Sequence, residues 1–394
     1  MRCSQSRFVL IVLSVILLAG CAKRSANTGI GEGNRYASGF SLYDSAGYKI
    51  AVVYSPWNAG GEMARYYLTR DTSDTDEMTR MRGKTVVRIP LQRIGVTSCT
   101  HVGFIDAVGC VSELVGVCNP ELVYTDLSTA KGLTEGTLNL GDAMSPDVER
   151  VVSARPDMMF VSTYAQGDAT SARLEKMGVP ILYINEWMEQ HPLARAEWVR
   201  LVGAFLDKET VADSLFDTVS SCYEQLRTQV EQWATDDKPS IMSGQDFRGT
   251  WYVPAGNTYM GRLFRDAGAS YRYEDTVNEG SIPLTLEKAM TDFANADVWI
   301  GANVRSLDEL AQIDNQHTMF KAFQTGRVYH LMRRSKPSGA KDFWERGVVH
   351  PEEILGDIVS VLYPDRLTWE PVFIEQLKGS RQDACATNED FSIN

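Results

Sequence analysis

The sequence has no apolar run long enough to cross a bilayer. Its one hydrophobic stretch, residues 8–19, is about half the ~20 residues a spanning helix needs, which excludes a multi-span membrane protein. It also has no Lys/Arg-rich stripe. With 39 Lys+Arg against 51 Asp+Glu the chain carries a formal charge of −12, which argues against nucleic acid as a partner. The seven cysteines contain no C-x-x-C, so neither a zinc ribbon nor a disulfide framework is indicated. H-E-x-x-H, G-x-S-x-G and a P-loop are missing too, which leaves an enzyme only a site assembled from distant residues. What is present is ordinary for a globular protein, at 44% hydrophobic, 23% charged and 10% aromatic residues. The length of 394 residues suits about two domains, each with its own core.

The apolar run follows Arg2 and Arg7 and stops at Leu18-Ala-Gly-Cys21, the layout of an export signal. That tetrapeptide resembles the lipobox of bacterial lipoproteins, which implies cleavage before Cys21 and lipid on its thiol. Acyl burial, at ~0.8 kcal/mol per CH₂, then holds the protein on a membrane without a spanning helix. Residues 1–20 carry Arg2 and Arg7 and no acid, so their loss leaves 37 basic against 51 acidic residues, a net charge of −14. Besides Cys21, five cysteines remain: Cys99, Cys110, Cys118, Cys222 and Cys385. Buried free thiols, or one bridge within Cys99, Cys110 and Cys118, both fit an oxidising compartment.

Residues 21–35 are small, polar and Gly-rich, a flexible tether. Residues 36–88 read as β-rich, with β-branched runs at Tyr48-Lys-Ile-Ala-Val-Val-Tyr54 and Thr85-Val-Val-Arg-Ile89. From Ile94 onward short apolar runs alternate with helical patterns, the mark of an α/β fold. Strands are expected within 155–161 and 179–184. Between them and the next strand, Val211, Leu215, Val219, Tyr223, Leu226, Val230 and Trp233 recur at three- and four-residue steps. A helix over 208–234 would be roughly 40 Å long at 1.5 Å per residue, enough to join two domains. An internal echo flanks it. Ser145 to Val161 and Thr285 to Ile300 each read as a capped helix feeding a strand. Ser145 and Thr285 stand at the expected N-caps, with Glu149 and Glu287 in the first turns.

Several segments together resemble the periplasmic substrate-binding proteins of ABC importers for iron chelates and cobalamin, the class whose two lobes are bridged by one helix. They are Arg93-Ile-Gly-Val-Thr-Ser-Cys-Thr-His101, Leu140-Gly-Asp-Ala-Met-Ser-Pro-Asp-Val-Glu149, Lys176-Met-Gly-Val-Pro-Ile181, Asp266-Ala-Gly-Ala269, Asp342-Phe-Trp-Glu-Arg346 and His350-Pro-Glu-Glu-Ile-Leu355. The likeness covers roughly residues 90–365; residues 36–88 fall outside it. It implies an α/β chain of two Rossmann-like lobes joined by a long backbone helix, with an N-terminal β-rich extension. The expected parts are a lobe at 89–207, the bridging helix at 208–234, a second lobe at 235–370 and a tail at 371–394. Ligand enters the cleft at the carboxyl ends of the strands, and a stiff helical connector keeps closure small.

The resemblance also assigns residues. Glu149 and Glu287 match the exposed glutamates, one per lobe, that dock into arginines of the permease. By itself, a glutamate in a helix first turn needs no partner, since the macrodipole favours it by ~0.3–1 kcal/mol. Candidate ligand residues lie on loops after strands: Cys99, Thr100 and His101; Thr163, Tyr164 and Gln166; Glu186 and Trp187; Arg248, Trp251 and Tyr252. Asp342, Phe343 and Trp344 precede the closing helix. Aromatic rings offer flat contact area to a macrocycle or aryl ligand, and arginine offers charge to carboxylates or catecholates. His101 is either an axial iron ligand or a structural residue, and for the tryptophans core packing and ligand contact both stand. Arg333, Arg334, Lys336 and Lys341 either attract an anionic chelate or form a solvated loop.

The expected protein is therefore not an enzyme and carries no cofactor. It is a monomer anchored by lipid on Cys21, in the periplasm or on the outer face of the cytoplasmic membrane. It takes an iron(III) chelate (siderophore or haem) to an ABC permease with its cytoplasmic ATPase. Cobalamin or another corrinoid is the alternative ligand, and a chelate-processing enzyme the alternative class.

Overall fold

The computed structural model describes residues 33–45, 47–58, 60–73, 81–233, 238–278 and 280–379. The signal segment, Cys21 and most of the tether lie outside the described residues.

The N-terminal extension is a four-stranded sheet. Strands β1 (Phe40–Ser45), β2 (Tyr48–Tyr54) and β3 (Glu62–Thr69) form an antiparallel meander, and β4 (Thr85–Arg88) joins β3 in parallel. Period-2 alternation gives the sheet two apolar faces. Ala51, Val53, Tyr66 and Leu68 join the main core, while Tyr48, Ile50, Val52 and Met81 form a separate small cluster.

The strap before β1 is sewn to the body by two buried glutamates. Glu197 accepts the backbone N–H of Arg35, Tyr36 and Ala37 at 2.7–2.8 Å. Glu189 accepts those of Ser38 and Gly39 at 2.9 and 2.7 Å. Five successive N–H groups thus find acceptors.

Next comes a parallel sheet in the order β8-β7-β5-β6. Along the chain, β5 (Ile94–Val96) leads to α1 (Cys99–Ala107) and β6 (Leu114–Val117). Then α2 (Val148–Ala154) feeds β7 (Met158–Val161), and α3 (Ala169–Lys176) feeds β8 (Ile181–Tyr183). Helix α4 (Pro192–Phe205) is buried along nearly its whole length. It precedes α5 (Glu209–Trp233), which at 1.5 Å per residue is roughly 37 Å long. The bounds of α5 agree with the expected helix, but its apolar face is shifted. Ala212 and Phe216 are buried, whereas Val211 is exposed. The stripe read from Val211 and Leu215 is thus one residue out of phase in the first two turns, because the packing partners α4 and the final helix decide which flank is covered.

Past α5 a second sheet runs in the order β12-β9-β14-β15-β16. Its first four strands, β9 (Ser240–Ser243), β12 (Ser270–Tyr271), β14 (Val298–Ile300) and β15 (Val328–His330), are parallel. Beside it lies a small antiparallel sheet of β10 (Asp246–Phe247), β11 (Thr250–Pro254) and β13 (Ser281–Leu284). Connecting helices are α6 (Tyr259–Asp266), α7 (Leu286–Phe293) and α8 (Leu307–Ile313). The chain closes with α9 (Asp342–Val349), α10 (Pro351–Leu362) and β16 (Glu375–Gln376).

The expected tail therefore begins too early. Residues 371–379 belong to the second sheet: β16 pairs antiparallel with β15, and Phe373, Ile374 and Leu377 are buried. Buried Asp357 holds this return by accepting N–H groups from Val372, Phe373 and Ile374 at 2.6–3.0 Å. Among the described residues no helix is long and apolar enough to cross a membrane.

Candidate functional site

The carboxyl ends of the first sheet carry an aromatic wall. Tyr164, after β7, stacks on Trp187, after β8, with ring centroids 5.4 Å apart and planes 30° from parallel. Tyr164 keeps 47% exposure. The two loops are tied together because Asn185 Oδ1 accepts both N–H and Oγ1–H of Thr163, at 2.9 and 3.1 Å. Arg195 of α4 fixes the Trp187 backbone by donating to its carbonyl at 2.6 Å. The same guanidinium lies 4.4 Å from the ring centroid of Tyr259, on α6 of the second unit. This contact joins the two units, and burial holds the Arg195 pKa below its ordinary value. Glu186 is buried beneath the wall, and its burial raises the carboxyl pKa.

The second sheet presents cations at its strand ends. Arg305 donates to Ser335 Oγ at 2.6 Å and Lys341 to Asn303 Oδ1 at 2.9 Å. Burial, then the nearby Arg305 charge, lower the Lys341 pKa. Arg333, three residues past β15, is exposed. Among the described residues, the ion pairs include no carboxylate partner for Arg305, Arg333 or Lys341. The hairpin β10–β11 adds exposed Phe247 and Tyr252, with the Arg248 guanidinium 5.1 Å from the Phe247 ring centroid. Its attachment explains Trp251. Trp251 Nε1 donates to the Ser243 carbonyl and Trp299 Nε1 to that of Gly244, both at 2.9 Å. Gly244 has φ +85°, and a Cβ there would meet the Tyr252 carbonyl oxygen at 2.0 Å, so only glycine fits this turn.

Other candidates fall elsewhere. Trp251 has no exposed surface and serves as a core anchor of the hairpin, so it offers no face to a ligand. His101 is likewise fully buried, with Nε2 3.1 Å from Ser162 Oγ. Burial depresses its pKa to about 3; it is a core histidine, not an axial ligand in this conformation. Asp342 and Phe343 are also buried. They belong to α9, which packs against α1 where the two units meet. Gly103 allows that approach, since a Cβ there would lie 2.2 Å from the Glu345 carbonyl oxygen. Glu345 reinforces it by accepting the N–H of Tyr124 and Thr125 at 2.7 and 2.5 Å. Asp342 pairs with Arg334. Trp344 stays 49% exposed. Of the thiols, Cys99, Cys110 and Cys118 are unbridged, and Cys222 is free but exposed, against the expectation of burial. Burial pushes the Cys99 and Cys118 pKa values up to about 12.

Glu149 and Glu287 occupy the same place in their helices. Asp147 caps α2 and Thr285 caps α7, so each glutamate stands two residues past its cap. The cap at the first helix is thus Asp147 and not Ser145, because Asp147 directly precedes Val148 and its Oδ1 accepts the N–H groups of Glu149 and Arg150. Both glutamates are exposed. Residues beside these strand-end loops that sequence reasoning did not single out are Trp57, whose ring centroid is 6.1 Å from that of Trp187, Arg195 and Arg305. A tryptophan in a Pro-Trp-Asn turn was the one available signal; nothing local distinguishes the two arginines.

One group of metal-ligating side chains gathers among the described residues, His350, Glu352 and Glu353. It is already satisfied in part, since Arg346 holds both oxygens of Glu353 at 2.5–2.8 Å and His350 meets Glu352 at 2.9 Å.

Comparison with known proteins bears on the fold. An uncharacterized lipoprotein of Methanocaldococcus jannaschii is 25% identical over 293 residues, 71% of this chain and 67% of its own. A periplasmic heme binding protein from Pseudomonas aeruginosa shares the fold with a TM-score of 0.54 at 16% identity, over 73% of this chain and 99% of its own. A periplasmic vitamin B12 binding protein of Vibrio cholerae does so with a TM-score of 0.52 at 12% identity, over 71% and 99%. The sequence model of one family matches residues 103–334, more than half of the chain. With two parallel α/β sheets and loops gathered at their strand ends, the chain belongs to the periplasmic binding protein family and is a binding component, not an enzyme.

Proposed function

We propose that this chain is the lipid-anchored substrate-binding component of an ABC importer, taking up an iron(III) chelate, a siderophore or haem. The two parallel sheets act as Rossmann-like lobes, at 89–207 and at 235 onward, with α5 as their connector. The observation that carries this reading is the pairing of two surfaces at strand ends. The first lobe offers the Tyr164–Trp187 stack, and the second offers Arg305, Arg333 and Lys341, which have no carboxylate partner among the described residues. Flat rings suit a conjugated ligand, and unpaired cations suit its anionic groups. A chelate combining both features is a haem or an aryl siderophore.

Cobalamin is the second reading, supported by the fold shared with the Vibrio cholerae protein. The segment Asp342-Phe-Trp-Glu-Arg346 lends it little, because Asp342 and Phe343 are enclosed between the lobes.

Delivery is to a permease and its ATPase, with Glu149 and Glu287 as the docking charges. The lipobox-like Leu18-Ala-Gly-Cys21 and the lipoprotein relative support lipid on Cys21 and a place outside the cytoplasmic membrane. Absorbance and fluorescence titration with ferric haem, cobalamin, a ferric catecholate and a ferric hydroxamate tests the reading. Binding of a ferric probe, recovered chemically unchanged, is expected. Binding of none of the four overturns it.

A further inference from the structure

The extension β1–β4 lies outside the family match, which begins at residue 103, yet one of its turns reaches the aromatic wall. Trp57 sits between β2 and β3, in a turn closed by Ser55 N–H to the Gly61 carbonyl and Gly61 N–H to that of Asn58, both at 2.7 Å. Its ring centroid is 6.1 Å from that of Trp187, which stacks on Tyr164. Trp57, Trp187 and Tyr164 thus form one chain of three rings drawn from three separate loops.

The placement is built into the strand. Val53 pairs with Ala64 and Tyr54 with Glu62, so Met63 is an extra residue on β3. Such a bulge re-aims a strand end. Met63 Sδ lies 3.8 Å from Asn185 Nδ2, and Asn185 is the residue that ties the Tyr164 and Trp187 loops together. The strap bound by Glu189 and Glu197 fixes the same sheet to α4.

Polar atoms of this cluster lack partners. Among the described residues, Trp57 Nε1, Trp187 Nε1 and Glu186 Oε2 are all buried from solvent without a hydrogen-bond partner. An orphaned buried donor or acceptor is costly because it gives up water without a replacement, and native structures hold few of them. Glu186 is 1% exposed and adjacent to Trp187. The two indole orphans share one explanation if their acceptor arrives from outside.

We infer that the N-terminal sheet is a ligand-clamping addition. Trp57 extends the Tyr164–Trp187 wall to take the face of a planar conjugated ligand, whose edge acceptors receive the indole N–H groups. This deepens the proposed chelate-binding function and rests on it.

The test titrates the full chain and its Trp57→Ala, Trp57→Phe and Trp187→Ala variants with ferric haem, a ferric tris-catecholate and a ferric tris-hydroxamate. Urea midpoints of the variants keep unfolding out of the comparison. Trp57→Ala is expected to weaken the conjugated probe about tenfold, and Trp57→Phe about threefold, since the ring is kept and the donor lost. Fluorescence quenching by that probe also falls in Trp57→Phe. Wild-type affinity and quenching in both Trp57 variants, with loss in Trp187→Ala, overturn the inference and leave the binding function intact. Binding of the hydroxamate alone overturns the planar ligand while an iron chelate stands. Binding of no probe overturns both.

Discussion

Glu197 is the most exacting test of how the extension is held. Its carboxylate has no exposed surface and accepts three consecutive N–H groups, from Arg35, Tyr36 and Ala37, at 2.8, 2.7 and 2.8 Å. Arg200 approaches the same oxygen that meets Arg35, at 3.2 Å. Hydrogen bonds to a charged group contribute ~1.5–3 kcal/mol each, so simple addition for three gives at least about 4.5 kcal/mol. Addition overstates the loss, because the strap keeps its second anchor at Glu189 and the freed N–H groups can reach water. Glu197→Ala is therefore expected to cost about 3–4 kcal/mol, within the ~3–5 range for removing one partner of a buried charged pair. Glu197→Gln keeps an acceptor oxygen and loses the charge, so about 1–2 kcal/mol is expected. Urea denaturation followed by circular dichroism measures the global term. Hydrogen exchange at amides 35–37 measures the local one, with protection lost in Glu197→Ala and retained at Ser38 and Gly39. Unchanged protection at 35–37, together with a loss below about 0.5 kcal/mol, would refute the carboxylate strap.

Three further outcomes follow from other contacts. Gly103→Ala puts a methyl group against the Glu345 backbone, so α1 and α9 must separate. A loss of about 1–3 kcal/mol in urea is expected, and an unchanged midpoint would remove the close approach. His101, with its pKa lowered to about 3 by burial, stays neutral in the fold while the unfolded chain protonates near 6.5. The unfolded state thus binds more protons between pH 6.5 and 3, so stability is full above that window and falls through it. The loss from His101 is about 2 kcal/mol by pH 5. His101→Gln should flatten the pH slope of stability across this window, and an identical slope would contradict the reading. Charge reversal at both Glu149 and Glu287 should abolish stimulation of the cognate transporter's ATPase without changing chelate affinity; full stimulation would sink the docking proposal.

How far the sequence could be read depended on the range of the interaction involved. Strand β2 and helix α5 were legible because alternation and three-to-four spacing repeat within the segment itself. The first turn of α2 was read with the wrong cap: Ser145, Pro146 and Asp147 are adjacent, and only backbone direction selects Asp147 as the acceptor. Phe343 and Trp344 are neighbours of like chemistry, yet one is buried where α9 packs against α1 and the other is exposed. That difference arises from α1, more than two hundred residues away in the chain.

By itself, then, the sequence determined an α/β chain with an added β-rich segment, and its resemblance to periplasmic binding proteins implied the binding role. The element types follow from local periodicity and composition, which repeat within each segment. Only the tertiary structure decided which acidic groups are buried. Glu189, Glu197, Glu345 and Asp357 stand among ordinary charged residues in the sequence, yet each collects successive backbone N–H groups from a distant stretch. A carboxylate can be buried at such a point because several N–H donors replace its water, and those donors come from chain that only folding brings near. The same holds for Trp57, which lies in a surface turn by sequence and meets Trp187 only because the extension folds back over the first lobe.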